Sequence, residues 1–276
     1  MKVTKATGET EEYSSRKLEV SLARAGAGKD VVRRVLEEVR KELRPGVSTD
    51  AIHKAAASRL LKESSVLAAR YSLKRAIMEF GPQGFFFEQF MEAVLREYGY
   101  KTKRGQMMRG KCVSHEIDIM ADKENTHYIC ELKYHNTSGT KTDVEVAMYL
   151  RARLEDIVEF QSRLEPKGIG HVAWLLTNTK FTSKAIKYGS CRGLRMTGWH
   201  YPKTESLERL IEDKRLYPVT VLPSINHYAK ESLARGGVLF ARDILFLDPE
   251  TLERRFGIHA KNAKKIMEDA YDLTVA

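Results

Sequence analysis

Asp118, Glu131 and Lys133 are the residues of this chain whose types and spacing point most directly to chemistry. Side chains two apart on a strand project from the same face, so Glu131 and Lys133 point together while Leu132 packs the other way. If the strand bearing Asp118 pairs with theirs, two carboxylates and an ammonium converge. Two hard oxygen donors suit Mg²⁺ or Mn²⁺ and leave positions for water and a phosphate oxygen. Such an ion offsets phosphate charge and acidifies a bound water. Lys133 would orient or deprotonate that water, or stabilise charge developing on phosphorus. Acidic residues in otherwise apolar strands also need partners, which sets this group apart from ordinary solvated charge.

The elements that must position these groups are legible in the pattern. Ile117 and Ile119 alternate with Glu116 and Asp118, and Tyr128 to Tyr134 reads as a second strand after a Lys123-Glu124-Asn125 turn. Ahead of them, Phe85 to Tyr98 is a strongly apolar helix stopped by Gly99; behind them an amphipathic helix spans about 143–164. A strand His171–Thr177, a helix over about 182–188 and a strand Leu194–Trp199 follow. Strands alternating with helices predict an α/β sheet, partly parallel.

Asp118 followed by Glu131-Leu132-Lys133 resembles the split motif of PD-(D/E)XK nucleases, above all their Mrr-like restriction endonuclease branch. The resemblance covers about residues 85–222. It includes Leu176-Thr177-Asn178-Thr179-Lys180-Phe181-Thr182 with Ala185, similar to a strand-to-helix stretch of that branch, and Leu207 to Leu210 after Gly198-Trp199. Ile117 stands where many relatives have proline, and Glu131 where some have Gln or Asp. The resemblance implies a restriction-endonuclease-like mixed sheet flanked by helices. It implies a metal-dependent DNA endonuclease hydrolysing phosphodiester bonds, with Asp118 and Glu131 as ligands and Lys133 as the catalytic cation. A glutamate on the first core helix often completes the site; Glu88 matches by position, with Glu92 one turn on as its rival. His115, His135, Asn136 and Gln161 are the remaining polar candidates around it.

Residues 1–84 form a different module: a short hairpin around Thr7-Gly8-Glu9, then four helices, the third capped by Ser48 or Thr49. No GxxxxGK[ST] loop is present, so P-loop ATPase chemistry is excluded. The run from Val3 to Ala25, with Gly8 in its turn and Lys17-Leu18 opening the first helix, resembles the ATP-cone. That is the nucleotide-sensing domain of ribonucleotide reductases and their repressors. The likeness assigns nucleotide binding to Val3, Lys5, Glu11, Lys17 and Thr49, the lysines on phosphates, Glu11 and Thr49 on the nucleoside. Lysines suit phosphates as point charges. Ala6 stands where an arginine is usual, removing one phosphate contact. ATP or dATP is then expected as an effector, not a fuel.

Gly81-Pro82-Gln83-Gly84 and the loop around Pro218 and Pro223 divide the chain into 1–84, 85–222 and 223–276. The last segment is helical, with Asp248-Pro249-Glu250 as a helix start. Leu252, Phe256-Gly257-Ile258 and the basic run 260–266 resemble half of a helix–hairpin–helix, so this segment is expected to contact DNA or to dimerise. A net charge of +10 fits a polyanionic partner. The excess lies ahead of this segment, whose 8 Lys and Arg balance 8 Asp and Glu. Three scattered cysteines, no apolar run long enough to span a bilayer and no leader-like N-terminus fit a cytoplasmic protein. The expected protein is thus a Mg²⁺-dependent endonuclease conditioned by adenine nucleotide. Because a double-strand cut needs two sites, it is expected to be a homodimer or higher homo-oligomer. A nucleotide-responsive DNA-binding regulator with an inactive nuclease fold, and a structure-selective nuclease, are the rivals.

Overall fold

The computed structural model describes residues 1–5, 8–81, 84–137, 139–164 and 168–275. The expected contributions of Ala6, Thr7, Pro82 and Gln83 lie outside those residues. Strands β1 (Lys2–Thr4) and β2 (Thr10–Glu12) pair antiparallel, Val3 opposite Glu11. Four helices follow: α1 (Ser15–Arg24), α2 (Lys29–Glu42), α3 (Thr49–Glu63) and α4 (Ser65–Met78). Ser14, Ser48 and Ser64 each accept a main-chain N–H from the first turn of α1, α3 and α4, which satisfies donors the helix itself cannot. Their apolar positions recur at helical spacing, and Val3, Leu22, Val35, Val39, Ala56 and Leu60 close into one core. The hairpin is joined to α3 by a parallel bridge between Thr4 and Ser48.

The middle of the chain starts with α5 (Phe85–Glu97), β3 (Lys101–Arg109), β4 (Ser114–Lys123) and β5 (Thr126–Lys133). The two-residue β6 (Lys141–Thr142), α6 (Val144–Gln161), β7 (Gly170–Thr177) and β8 (Lys180–Phe181) come next. Then come α7 (Ser183–Arg192), β9 (Arg195–Thr197) and α8 (Leu207–Asp213). The main sheet runs β3-β4-β5-β7-β9, antiparallel from β3 to β5 and parallel from β5 to β9. The fold is therefore mixed α/β with a five-stranded mixed sheet. β7 is almost wholly apolar because it lies mid-sheet with both faces covered. The 143–164 helix ends three residues sooner, and the 182–188 helix runs on to Arg192, where Gly193 adopts a left-handed conformation (φ 67°) that stops it.

β3 is the element that periodicity overlooks. It is the sheet edge, and Lys101, Lys103 and Met107 stay exposed, so no apolar alternation marks it.

The chain resumes at Tyr217 with a 3₁₀ turn (Val219–Val221), α9 (His227–Arg235), a second 3₁₀ turn (Ala241–Phe246), α10 (Pro249–Phe256) and α11 (Ala260–Thr274). The chain forms two compact units. One joins Met1–Glu79 with Tyr217–Ala276; the other is Phe80–Leu216. The tail that the sequence sets apart at 223–276 thus packs with the N-terminal module, beginning six residues sooner. Among the described residues no helix is long and apolar enough to cross a membrane.

Candidate functional site

β4 and β5 place the central carboxylates. Their ladder ends on the pair Ile119 and Cys130, and the next step sets Asp118 opposite Glu131. Asp118 is half-buried, and its Oδ2 accepts the main-chain N–H of Leu132 at 2.7 Å. Strict alternation fails at this point. His115 bonds Asp156 of α6, and Ile117 belongs to the cluster containing Ile129 and α6 residues Leu150 and Leu154. Met120, directly opposite Ile129, packs against the same cluster. His115 and Met120 have opposite parity, so the side-chain pattern slips between Ile117 and Met120, around Asp118. The β3–β4 register is the same on both sides, Gln106 opposite Ile117 and Arg104 opposite Ile119, so no residue is inserted and the change is one of side-chain direction. It is why His115 turns to the side that a regular strand would deny it.

The three candidate carboxyls share one electrostatic neighbourhood. Burial raises the pKa of Glu88 first; Asp118, Glu116 and Glu131 add to it, and Arg104 opposes. Burial also raises Asp118, against the pull of the Leu132 N–H, Arg153 and Lys133. Glu131 is raised by burial and then by Asp118, with Arg153 and Lys133 opposing. Burial, and for Glu88 and Glu131 the nearby like charges, resist ionisation, so these carboxyls hold their protons more tightly than exposed ones.

Glu92 behaves differently. It is buried and bonded to Arg96 at 2.7 Å and Arg104 at 2.6 Å, so it anchors α5 to β3 as an ion-pair acid. Glu88 is the α5 acid whose pKa the charges of Asp118 and Glu131 help to raise. Lys133 is exposed at the end of β5, where its carbonyl accepts the Thr177 hydroxyl at 2.7 Å. Thr142, Thr177, Asn178 and Thr179 are all buried. Asn178 brackets His135 with two hydrogen bonds, its Oδ1 accepting the His135 N–H and its amide donating to the carbonyl. His135 is thereby a structural link, bonded also to Thr142 at 3.0 Å. Asn136 is exposed, and Gln161 merely ends α6.

Arg153 is the group that sequence reasoning missed. It rises from α6 with its side chain only 10% exposed and bonds a carboxylate oxygen of Glu131. Its guanidinium carbon also lies 4.7 Å from the Tyr149 ring centroid. One turn on, Asp156 accepts the N–H groups of Cys112 at 2.8 Å and Val113 at 3.3 Å and bonds His115 at 2.7 Å. These bonds hold its carboxyl well below the usual range. No local signal links Arg153 to an acid on another element. Among the described residues, no three His, Cys, Asp or Glu side chains stand in an arrangement that would hold a metal ion. The donor chemistry of Asp118 and Glu131 suits a hard cation, but Glu131 is turned to Arg153.

In the other unit, Glu11 receives Lys17 at 2.8 Å, and Lys5 lies 3.9 Å away. The Lys17 hydrogen bond holds Glu11 below the ordinary carboxylate range. Three of the expected nucleotide residues therefore meet at the hairpin. Val3 is buried in the core, so only its main chain faces that surface. Thr49 opens α3 directly after the Thr4–Ser48 bridge. One turn further, His53 stacks on Tyr71 of α4 with ring centroids 4.5 Å apart, and burial lowers its pKa, favouring neutral imidazole.

Comparison with known proteins accords with this division. Residues 1–79 match the ATP cone domain, and residues 217–274 match the AF1548-like C-terminal domain. The two matched segments are the two pieces of one compact unit. A curated protein of Archaeoglobus fulgidus, described as uncharacterized, is 38% identical over 180 residues, 65% of this chain and 97% of that protein. A crystal structure of a protein of unknown function, AF1548, is 35% identical with a TM-score of 0.56, covering 69% of this chain and 97% of that one.

Proposed function

This chain belongs to the AF1548-like family and carries an ATP cone, and from that premise we propose that it is a metal-dependent DNA endonuclease conditioned by adenine nucleotide. The observation that carries the reading is the gathering of Glu88, Asp118 and Glu131, three partly buried acids of raised pKa, beside Lys133 and Arg153. The mixed sheet with α5 preceding it is the arrangement expected of a restriction-endonuclease-like fold. Asp118 and Glu131, with Glu88 as third donor, would hold Mg²⁺ or Mn²⁺ only after Glu131 leaves Arg153 and the three carboxylates draw together around the ion. A bound ion would neutralise phosphate charge and acidify a water. Lys133, exposed at the strand end, orients the attacking water and stabilises charge on the phosphoryl oxygens. Half-buried Asp118 is fixed by the Leu132 N–H, so it need not reorganise when substrate arrives.

The cone supplies the condition. ATP-cone domains bind effectors such as ATP or dATP, and Lys5 and Lys17 would exchange Glu11 for phosphates. Two copies would act on the two strands of a duplex. Free cysteines, two of them exposed, suit a reducing cytoplasm. The pairing of Glu131 with Arg153 favours a second reading, a nucleotide-responsive DNA-binding regulator that does not cut.

Supercoiled plasmid incubated with Mg²⁺, with and without ATP, separates the two. The nuclease reading expects nicking or linearisation that falls by about 10²-fold or more in Lys133→Ala. Intact plasmid in every nucleotide condition, with DNA still bound, would give the regulator the case.

A further inference from the structure

Arg153 already pairs with a carboxylate that a bound cation would need. Its guanidinium bonds Glu131, the carboxylate that must ligate metal if the proposed nuclease function holds, and among the described residues no three-acid metal arrangement stands alongside this pair. We infer that Arg153 is a positioning residue that holds Glu131 as an internal counter-ion and yields it to a divalent cation.

Four features support the exchange. Arg153 is nearly buried, and among the described residues its Nε has no hydrogen-bond partner, so the guanidinium is seated by the Glu131 carboxylate and the Tyr149 side chain and not by a full set of acceptors. Asp118 comes opposite Glu131 one step beyond the paired Ile119 and Cys130 and adds to its demand for positive charge, and the Arg153 guanidinium meets that demand from within the protein. A divalent ion carries twice that charge and draws oxygens around itself on all sides, where a planar guanidinium donates only within its own plane. An alternative seat already exists. Tyr149, one turn back on α6 and more than half exposed, lies under the guanidinium at 4.7 Å. Released from Glu131, Arg153 keeps that cation–π partner and gains water, so letting go does not strand a buried charge.

The arrangement also explains the placement of α6. Asp156, one turn after Arg153, clasps the turn between β3 and β4 through the Cys112 and Val113 N–H groups. Gly110 is required there, since a Cβ would lie 2.1 Å from the Asp156 carboxylate. The helix is thereby fixed against β4 while Arg153 reaches β5. Counter-ion and acid are held in register by a neighbouring contact that no ligand need disturb.

The inference rests on the metal site proposed above, and a binding measurement tells the two apart. The full chain is titrated with Ca²⁺, a hard oxygen-seeking probe, by calorimetry, and its melting temperature is followed in the same series. Wild type, Arg153→Met, Arg153→Gln and Glu131→Gln are compared. With the internal competitor gone, Arg153→Met should bind Ca²⁺ about tenfold tighter and show a larger Ca²⁺-induced rise in melting temperature. Arg153→Gln should do the same, and carries the test if the methionine variant does not fold. Glu131→Gln should bind at least tenfold more weakly than wild type. Binding that Glu131→Gln weakens but neither Arg153 variant strengthens overturns the counter-ion role and leaves the metal site standing. No Ca²⁺ binding by any of the proteins overturns both.

Discussion

Thr220 donates its buried hydroxyl to the main-chain carbonyl of Ala76 at 2.8 Å, linking the first turn of the C-terminal segment to the end of α4. Arg70 donates to the Tyr217 hydroxyl at 3.2 Å and Lys230 meets Glu79 at 2.7 Å along the same helix. α4 therefore has two duties. Tyr71 stacks on His53 beside the cone's hairpin side, while Arg70, Ala76 and Glu79 hold residues 217–230. Thr220→Val keeps the volume but leaves a carbonyl without that donor, a loss of about 1–2 kcal/mol. The expected outcome is a drop of roughly 3–8 °C in melting temperature, measured by calorimetry without nucleotide. An unchanged transition would show that the contact is dispensable.

At the hairpin, Lys17 pairs with Glu11. Phosphates must draw it away, and a charge-assisted bond to phosphate is worth about 1.5–3 kcal/mol. Lys17→Ala should therefore weaken ATP binding by roughly tenfold or more. Thermal stabilisation by ATP should shrink accordingly, with little change in the nucleotide-free melting point because the Lys17–Glu11 pair is solvent-exposed. Equal ATP stabilisation in variant and wild type would remove Lys17 from the phosphate site.

The three raised carboxyls make a pH prediction with a definite sign. Each binds its proton more tightly folded than unfolded. Metal-free stability is then higher when they are protonated, and falls as pH rises from the ordinary carboxylate range through their raised values. Asp118→Asn removes one charge while its Oδ1 still accepts the Leu132 N–H. At pH 7 without metal it should be more stable than wild type by about 0.5–2 kcal/mol, as relieved functional sites often are. The gain should shrink toward pH 4. A loss of stability at pH 7 would mean the carboxylate is held by contacts stronger than its repulsions.

Glu88 and Glu92, one turn apart on α5, should separate cleanly. Glu92→Gln breaks a buried acid's bonds to Arg96 and Arg104 and should cost about 1–3 kcal/mol. Plasmid cutting per folded molecule should stay near wild type. Glu88→Gln should retain or raise stability and lose most cutting. Denaturant melts paired with cleavage rates decide this, and the reverse pattern would exchange the two roles.

Much of this protein was legible before its structure. Helical spacing of Leu18, Leu22, Val35, Val39, Ala56 and Leu60 determined the N-terminal helices, because a helix in water must bury one stripe. Alternation at Ile117 and Ile119 and the apolar Tyr128, Ile129, Cys130 and Leu132 marked β4 and β5, and with them the candidate residues Asp118, Glu131 and Lys133. These are local properties, set by the period of the backbone. Other features depend on contacts between residues far apart in the chain. β3 was hidden because an edge strand buries too little to show a pattern. The slip around Asp118 depends on how β4 meets α6, so it could not be read from β4 alone. The joining of residues 217–276 to the cone rests on partners more than 140 positions apart, such as Ala76 with Thr220. The hold of Arg153 on Glu131 is of the same kind. Periodicity determined which faces are buried; only the tertiary structure decided which charge lies opposite which, because that depends on packing between elements and leaves no spacing in the sequence.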